Sequence, residues 1–196
     1  MKQLALGISP APHPTLDNFV PGANAELLAR LREFQAGRFP DAVLYLWGEA
    51  GCGKSHLLSA CSGPRTVDDV DALGEAAQIV LFNAINEARQ SGGTILAAGS
   101  APPSQLALRE DLKSRLAWGL VYEVRQLTDA ERAAYLRTEA GRRGMQMPEE
   151  VVSYLLARVR RDLRSLSTLL DRIDTTSLEQ KRPVTVPLVR GVLKDE

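Results

Sequence analysis

The feature that most constrains this chain is a glycine-rich stretch, GEAGCGKS, at positions 48–55. It follows directly on an apolar run at 42–47. A run that is apolar at every position is typical of a strand buried on both faces of a parallel sheet. The order of strand, G-x-x-x-x-G-K-[ST] loop and helix is that of a phosphate-binding loop. The sequence therefore predicts an α/β fold with a polyphosphate site after its first strand.

The chemistry of such a loop follows from its residue types. Glycines let the backbone N–H groups turn toward a polyphosphate, and the following helix adds partial positive charge at its N-terminus. Lys54 would reach the β- and γ-phosphates, and the Ser55 hydroxyl would hold Mg²⁺. For His56, a packed or solvated histidine stays open as the alternative. The predicted nucleotide-binding residues of the loop are Gly48, Gly51, Cys52, Gly53, Lys54, Ser55 and His56.

An acidic pair, Asp68-Asp69, is the candidate for binding the metal ion of the site and its water molecule. Asp68 would bind Mg²⁺ and Asp69 would polarise a water molecule. The alternative is an Asp-rich turn, because the preceding residues 62–65 are not apolar and only 13 residues lie between Lys54 and Asp68.

The rest of the chain divides in character near residue 126. Before it, apolar periodicity predicts helices at 24–39, from 54, at 78–90 and in part of 106–118, with buried strands at 42–47, 94–99 and 120–124. After it only helices are expected, the first opened by a Thr128–Glu131 capping box and the second by Pro148. We therefore predict a tail at 1–14, an α/β base at 15–126 and a small helical domain at 127–196.

Composition excludes several classes of protein. Hydrophobic residues make up 44% of the chain, so it is not disordered, and no apolar run is long enough to cross a bilayer. Two cysteines and two histidines cannot form a disulfide framework or a zinc cluster. The formal net charge is zero, which argues against strong direct DNA binding. We expect a soluble, reduced, cytoplasmic protein without a membrane partner.

Two groups of arginines are further candidates. Arg115 could reach into a partner's nucleotide site, where such an arginine raises the rate roughly 10³–10⁵-fold. The sequence alone, however, favours a surface salt bridge for this residue. Arg161 and Arg164 are predicted to share one helix face and to point back at the nucleotide. The equal alternative for them is a solvated basic edge paired with Asp162 and Asp171.

Together these motifs resemble the DnaA branch of the AAA+ family, most closely the Hda family of DnaA-homologous regulators. Beyond the phosphate loop and the acidic pair, the resemblance rests on DNFVxGxN at 17–24, GSAPP at 99–103, LxSRLxWGL at 112–120, RGxxxPExV at 143–151 and SxxxKRxVTxP at 177–187. In the family a strand and a helix separate the loop from the acidic pair, and here they are missing. We expect an omitted segment, with a true deletion as the alternative.

The resemblance implies a role for each matching residue. Phe19 and Val20 would lie near adenine, Ser100 would be the sensor-1 residue, and Arg161 the sensor-2 residue. Arg115 would be the arginine finger presented to DnaA-bound ATP. The tail residues Gln3, Leu4 and Leu6 would dock in the groove of the DNA polymerase III sliding clamp (its beta subunit). The bound nucleotide would be ADP or ATP with Mg²⁺.

The predicted function is therefore that of a regulator of replication initiation. With the DNA-loaded clamp it would stimulate hydrolysis of DnaA-bound ATP and so inactivate DnaA, rather than turn over by itself. Because the sequence stops at Glu196 without a helix-turn-helix domain, an origin-binding initiator is not expected. The alternative is a self-hydrolysing AAA+ loader or remodeller. A homodimer or higher oligomer is compatible with both, since AAA+ sites are usually completed by a neighbour.

Overall fold

The computed structural model describes residues 13–61, 63, 65–159 and 162–194, with only the backbone of Arg164. These residues form two compact units, one from His13 to Gln126 and one from Leu127 onward. Within the described part, no helix is both long and apolar enough to cross a membrane. The roles predicted for Gln3, Leu4, Leu6 and Arg161 concern residues outside the described ones.

The first unit is built on a four-stranded parallel sheet, which confirms the predicted α/β class. Its strands are β1 (Val43–Trp47), β2 (Thr66–Val67), β3 (Ile95–Gly99) and β4 (Leu120–Glu123), in the order β2-β3-β1-β4. The central strand β1 pairs with β3 on one side and β4 on the other. Four consecutive residues of β1, from Val43 to Leu46, are fully buried, as its unbroken apolar run predicts.

Helices cover both faces of this sheet. They are α1 (Ala25–Gln35), α2 (Lys54–Ala60), α3 (Glu75–Ser91) and α4 (Glu110–Leu116). Leu44 and Leu46 belong to a core with leucines of α1 and α2, whereas Val43 and Tyr45 belong to a second core with α3 and α4. Successive side chains of β1 thus enter opposite cores, because side-chain direction alternates along a strand.

The connection from α2 to β2 corrects one expectation. The helix ends at Ala60 and the strand begins at Thr66, whose N–H donates to the Gly63 carbonyl oxygen at 3.3 Å. The carbonyl of Arg65 already accepts from Leu96 of β3 at 2.8 Å. The expected omitted segment is therefore wrong: α2 leads directly to a two-residue strand. The sheet tolerates this because β2 is an edge strand that pairs only with β3.

The second unit is helical, with α5 (Asp129–Arg142), α6 (Glu149–Arg158), α7 (Leu163–Gln180) and α8 (Val186–Lys194). The predicted capping box is confirmed: the Glu131 N–H donates to Thr128 Oγ1 at 3.3 Å, and the Thr128 N–H donates to Glu131 Oε2 at 2.7 Å. Each helix contributes a fully buried residue to one hydrophobic core: Leu136, Leu155, Leu170 and Val189.

The shared helix face predicted for Arg161 and Arg164 stays a prediction, because Arg161 lies outside the described residues and only the backbone of Arg164 is described. Among the described residues, α6 ends at Arg158 and α7 begins at Leu163. Asp171, expected to pair with this basic group, instead accepts from Arg143 at 2.8 Å.

The buried thiol of Cys61, at the end of α2, is expected to make the first unit less stable at alkaline pH. Burial raises its pKa from 9.0 to about 11, because desolvation disfavours the thiolate. The Cys61 pKa is higher in the folded state than in the unfolded state. The stabilisation that the buried thiol contributes is therefore fully present below pH 9 and is lost as the pH rises through 11. In urea titrations we expect the free energy of unfolding to fall by about 2 kcal/mol between pH 8 and pH 10.5 from this group. An equal fall in Cys61→Ala would contradict the assignment.

Candidate nucleotide-binding site

The loop between β1 and α2 depends on three glycines. Gly48, Gly51 and Gly53 have φ angles of 153°, 81° and 107°. Residues with a side chain rarely adopt positive φ angles of this kind. Gly48 is also tightly packed, because a Cβ there would lie 2.6 Å from the Val124 carbonyl oxygen. The loop therefore needs glycine at all three positions, although the G-x-x-x-x-G-K-[ST] pattern specifies only Gly48 and Gly53.

The Lys54 ammonium lies within this loop. Its Nζ donates to the carbonyl oxygens of Gly48 at 2.7 Å and Glu49 at 3.2 Å, and lies 3.9 Å from Cys52 Sγ. Cys52 is buried, and burial raises its pKa despite the nearby ammonium. The arrangement fits a polyphosphate, because the ammonium needs only to exchange neutral carbonyl partners for anionic oxygens. Ser55 is exposed in the first turn of α2.

The segment that precedes α1 lies against this loop. The Phe19 and His56 rings are 5.6 Å apart, and a Cβ on Gly53 would lie 2.8 Å from Phe19 Cε2. His56 Nε2 lies 3.0 Å from the Thr15 carbonyl oxygen, so His56 is packed between the loop helix and this segment. Val20 is half-buried next to Phe19. Of the two residues predicted to lie near adenine, Phe19 thus contacts the loop.

Asp68 and Asp69 lie between β2 and a short 3-10 helix at Val70–Ala72. Asp68 Oδ1 accepts from the Asp69 N–H at 2.9 Å, and Asp69 has a φ of 46°. Among the described residues, no group of three or more His, Cys, Asp or Glu is arranged to hold a metal ion. A Mg²⁺ ion at Asp68 would therefore depend on the Ser55 hydroxyl and on the oxygens of the nucleotide.

Sequence reasoning missed Asp71, which binds the backbone of Ser100, the residue predicted for the sensor-1 position. Its Oδ1 accepts from the Ser100 N–H at 3.0 Å and would lie 3.0 Å from a Cβ on Gly99. Burial opposes its ionisation, but hydrogen bonds from the backbone N–H groups of Asp71 and Ser100 and the charge of Lys54 lower the pKa of Asp71 overall. The only signal in the sequence was a third acidic residue in DDVD.

Arg115, at the end of α4, is fixed by uncharged partners. Its Nε donates to Asn86 Oδ1 at 2.9 Å, and its Cζ lies 3.6 Å from the centre of the Trp118 ring. A second aromatic ring, that of Phe82, lies 5.2 Å from Cζ. In the described part of the chain no carboxylate pairs with Arg115, so the expected surface salt bridge is not formed among these residues. Sequence reasoning did not anticipate Asn86.

Comparison with known proteins identifies the lid and the fold. Residues 129–193 match a family model described as the Hda lid domain. The chain is similar to domain III of the Thermotoga maritima replication initiation protein DnaA, with a TM-score of 0.74 and 23% sequence identity over 95% of this chain and 98% of that one. The second unit is thus an Hda-type lid, and the chain has the fold of DnaA domain III. Its α/β unit has the AAA+ fold and is called the AAA+ base.

Two further structures have the same fold. AMPPCP-bound DnaA from Aquifex aeolicus gives a TM-score of 0.70 at 22% identity, over 83% of this chain and 65% of that one. The Thermotoga maritima RuvB Holliday junction branch migration motor gives 0.69 at 19% identity, over 93% and 72%. At these identities the likeness concerns the fold alone. In such sheets ligands bind outside the carboxyl ends of the strands, where the AAA+ base places Lys54, Asp71 and Ser100.

Proposed function

We propose that this chain is a nucleotide-bound regulator of replication initiation, which stimulates hydrolysis of DnaA-bound ATP together with the DNA-loaded sliding clamp and thereby inactivates DnaA. The observation that carries the proposal is the state of Arg115. Its Nε is bound by Asn86, whereas its terminal nitrogens make no hydrogen bond within the described part of the chain. A guanidinium that is fixed through Nε and keeps its terminal N–H groups available can donate them to a phosphoryl group in a partner's site.

The chemistry would take place in the partner. There the terminal nitrogens of Arg115 would stabilise the negative charge that develops on the transferring phosphoryl group. The side chain would enter already oriented, because Asn86 and Trp118 hold it. Orientation before binding reduces the entropy lost on assembly.

The chain's own nucleotide, ADP or ATP, would have a regulatory role. Its phosphates would accept from the loop N–H groups and from Lys54, with Phe19 and Val20 beside the base and Ser100 near the terminal phosphate. Ser55 and Asp68 would hold Mg²⁺, which supplies charge neutralisation at the phosphates when bound. Asp69, which is exposed, would orient water, and Arg161 would approach from the lid.

Replacing Lys54 with alanine tests this nucleotide site. We expect the affinity for ADP to fall by about 10²-fold, because charge-assisted hydrogen bonds to phosphate are lost. Calorimetric titration with ADP measures the change. Lys113→Ala is the matched control, since Lys113 also lies in the AAA+ base but pairs with Glu110 on α4. Equal affinity in wild type and Lys54→Ala would contradict the predicted site.

The partners follow from the family and from the tail. The Hda-type lid and the likeness to DnaA favour a DnaA partner. The tail residues Gln3, Leu4 and Leu6 would bind the clamp as an extended peptide, with the leucines in apolar pockets. Strong direct DNA binding is not proposed, because the formal net charge of the chain is zero. A homodimer or higher oligomer remains compatible with the proposal.

The test is a reconstituted hydrolysis assay. DnaA loaded with labelled ATP is mixed with this chain and with clamp on DNA, and the labelled ADP is measured over time. We expect ADP to form faster only when both the chain and the clamp are present. No stimulation would contradict the proposal. Multiple-turnover hydrolysis by the chain alone, abolished by Lys54→Ala, would instead support the self-hydrolysing alternative.

A further inference from the structure

Two guanidinium groups stack on one tryptophan in the AAA+ base. Trp118 lies between α4 and β4, and its ring is 4.2 Å from Arg89 Cζ as well as 3.6 Å from Arg115 Cζ. Arg89 is exposed in the last turn of α3. Residues from two helices thus place two positive charges on a single ring.

This surface lacks the negative charges that would normally balance it. Neither Arg89 nor Arg115 forms an ion pair with a described residue, and Arg89 makes no hydrogen bond there. Asp41 lines the adjoining cavity with Arg89 and Trp118 but does not pair with the arginine. Two guanidinium groups in proximity repel each other, and among the described residues the electron-rich Trp118 ring offsets this repulsion. The surface is therefore complementary to anions.

The position of Trp118 differs from that of a core residue. The side chain is 38% exposed and borders an open cavity of about 340 Å³. A tryptophan that serves stability alone is usually more buried. Its contacts with cationic groups instead give the ring a role in holding Arg115.

We propose that Trp118 is a positioning residue for Arg115, and that Arg89 on the same ring forms the second half of a cationic surface that binds a carboxylate of the ATP-bound partner. This inference rests on the proposed function. The two arginines differ in role: Arg115 acts on the phosphoryl group undergoing transfer, whereas Arg89 contributes to association. A change at Trp118 should therefore alter the maximal rate, and a change at Arg89 the concentration dependence.

The experiment titrates wild type and variants into the reconstituted hydrolysis assay. Trp118→Leu should lower the maximal stimulation about tenfold, because the aromatic face that orients Arg115 is lost, while Trp118→Phe should retain most of it. Arg89→Gln should raise the half-saturating concentration about fivefold and weaken its dependence on salt, with the maximum unchanged. Arg38→Gln is the control, since Arg38 is exposed after α1, and should change neither quantity.

Several results would overturn the inference. Full maximal stimulation by folded Trp118→Leu would show that the ring does not position Arg115. An equal loss in Trp118→Phe and Trp118→Leu would show that the aromatic face is not what matters. An unchanged half-saturating concentration in Arg89→Gln would show that Arg89 does not contribute to association with the partner. If wild type itself gives no stimulation, the proposed function fails and this inference fails with it.

Discussion

Arg115→Ala is expected to reduce stimulated hydrolysis of DnaA-bound ATP by about 10³-fold, to the rate of DnaA without this chain. The physical reason is that the guanidinium would stabilise charge in the transition state, for which alanine has no substitute. The readout is the single-turnover rate of ADP formation with saturating chain and DNA-loaded clamp.

The charge-preserving variant Arg115→Lys separates charge from geometry. Lysine has no planar group to stack on Trp118 and donate to Asn86 while its outer donors remain free, so we expect it to restore little of the rate. Nucleotide affinity should be unchanged in both variants, because Arg115 bonds to Asn86 of α3 rather than to the phosphate loop. Full stimulation by Arg115→Ala would contradict the finger role.

Gly119→Ala is expected to have the largest effect on stability, lowering the free energy of unfolding of the AAA+ base by about 3 kcal/mol or more. Gly119 lies just before β4, where a Cβ would overlap the Val43 carbonyl oxygen and lie 2.7 Å from its carbon. The atoms it meets are backbone of the central strand, so the methyl group can be admitted only if β1 and β4 separate. Chemical denaturation followed by circular dichroism measures the loss.

Gly74→Ala is the matched control for this prediction. It makes the same change in the same unit, at the residue before α3, where a Cβ would meet nothing within 4 Å. We expect a change below about 1 kcal/mol, since only a modest preference for glycine at this position is lost. Similar losses in both variants would show that close packing at Gly119 is not the cause.

Local patterns in the sequence predicted much of the fold. The unbroken apolar run at 42–47 predicted the buried central strand, which the structure has at Val43–Trp47. The Thr128–Glu131 pair predicted the start of α5, which begins at Asp129. In each case the signal and the structure lie within a few consecutive residues. The short chain between α2 and β2 was misjudged, because the sequence alone does not tell that β2 lies at the sheet edge.

The sequence by itself determined the phosphate loop, since its glycines and Lys54 are neighbours whose backbone angles follow from residue type. Only the tertiary structure decided the partners of the other candidates. Asn86 binds Arg115, and Asp71 binds Ser100, across 29 positions in each case. Such pairs form because helix α3 packs against α4 and because β2 and β3 end side by side. Residue types alone do not encode that packing locally, so the position of Arg115 between Asn86 and Trp118 became visible only in the folded chain.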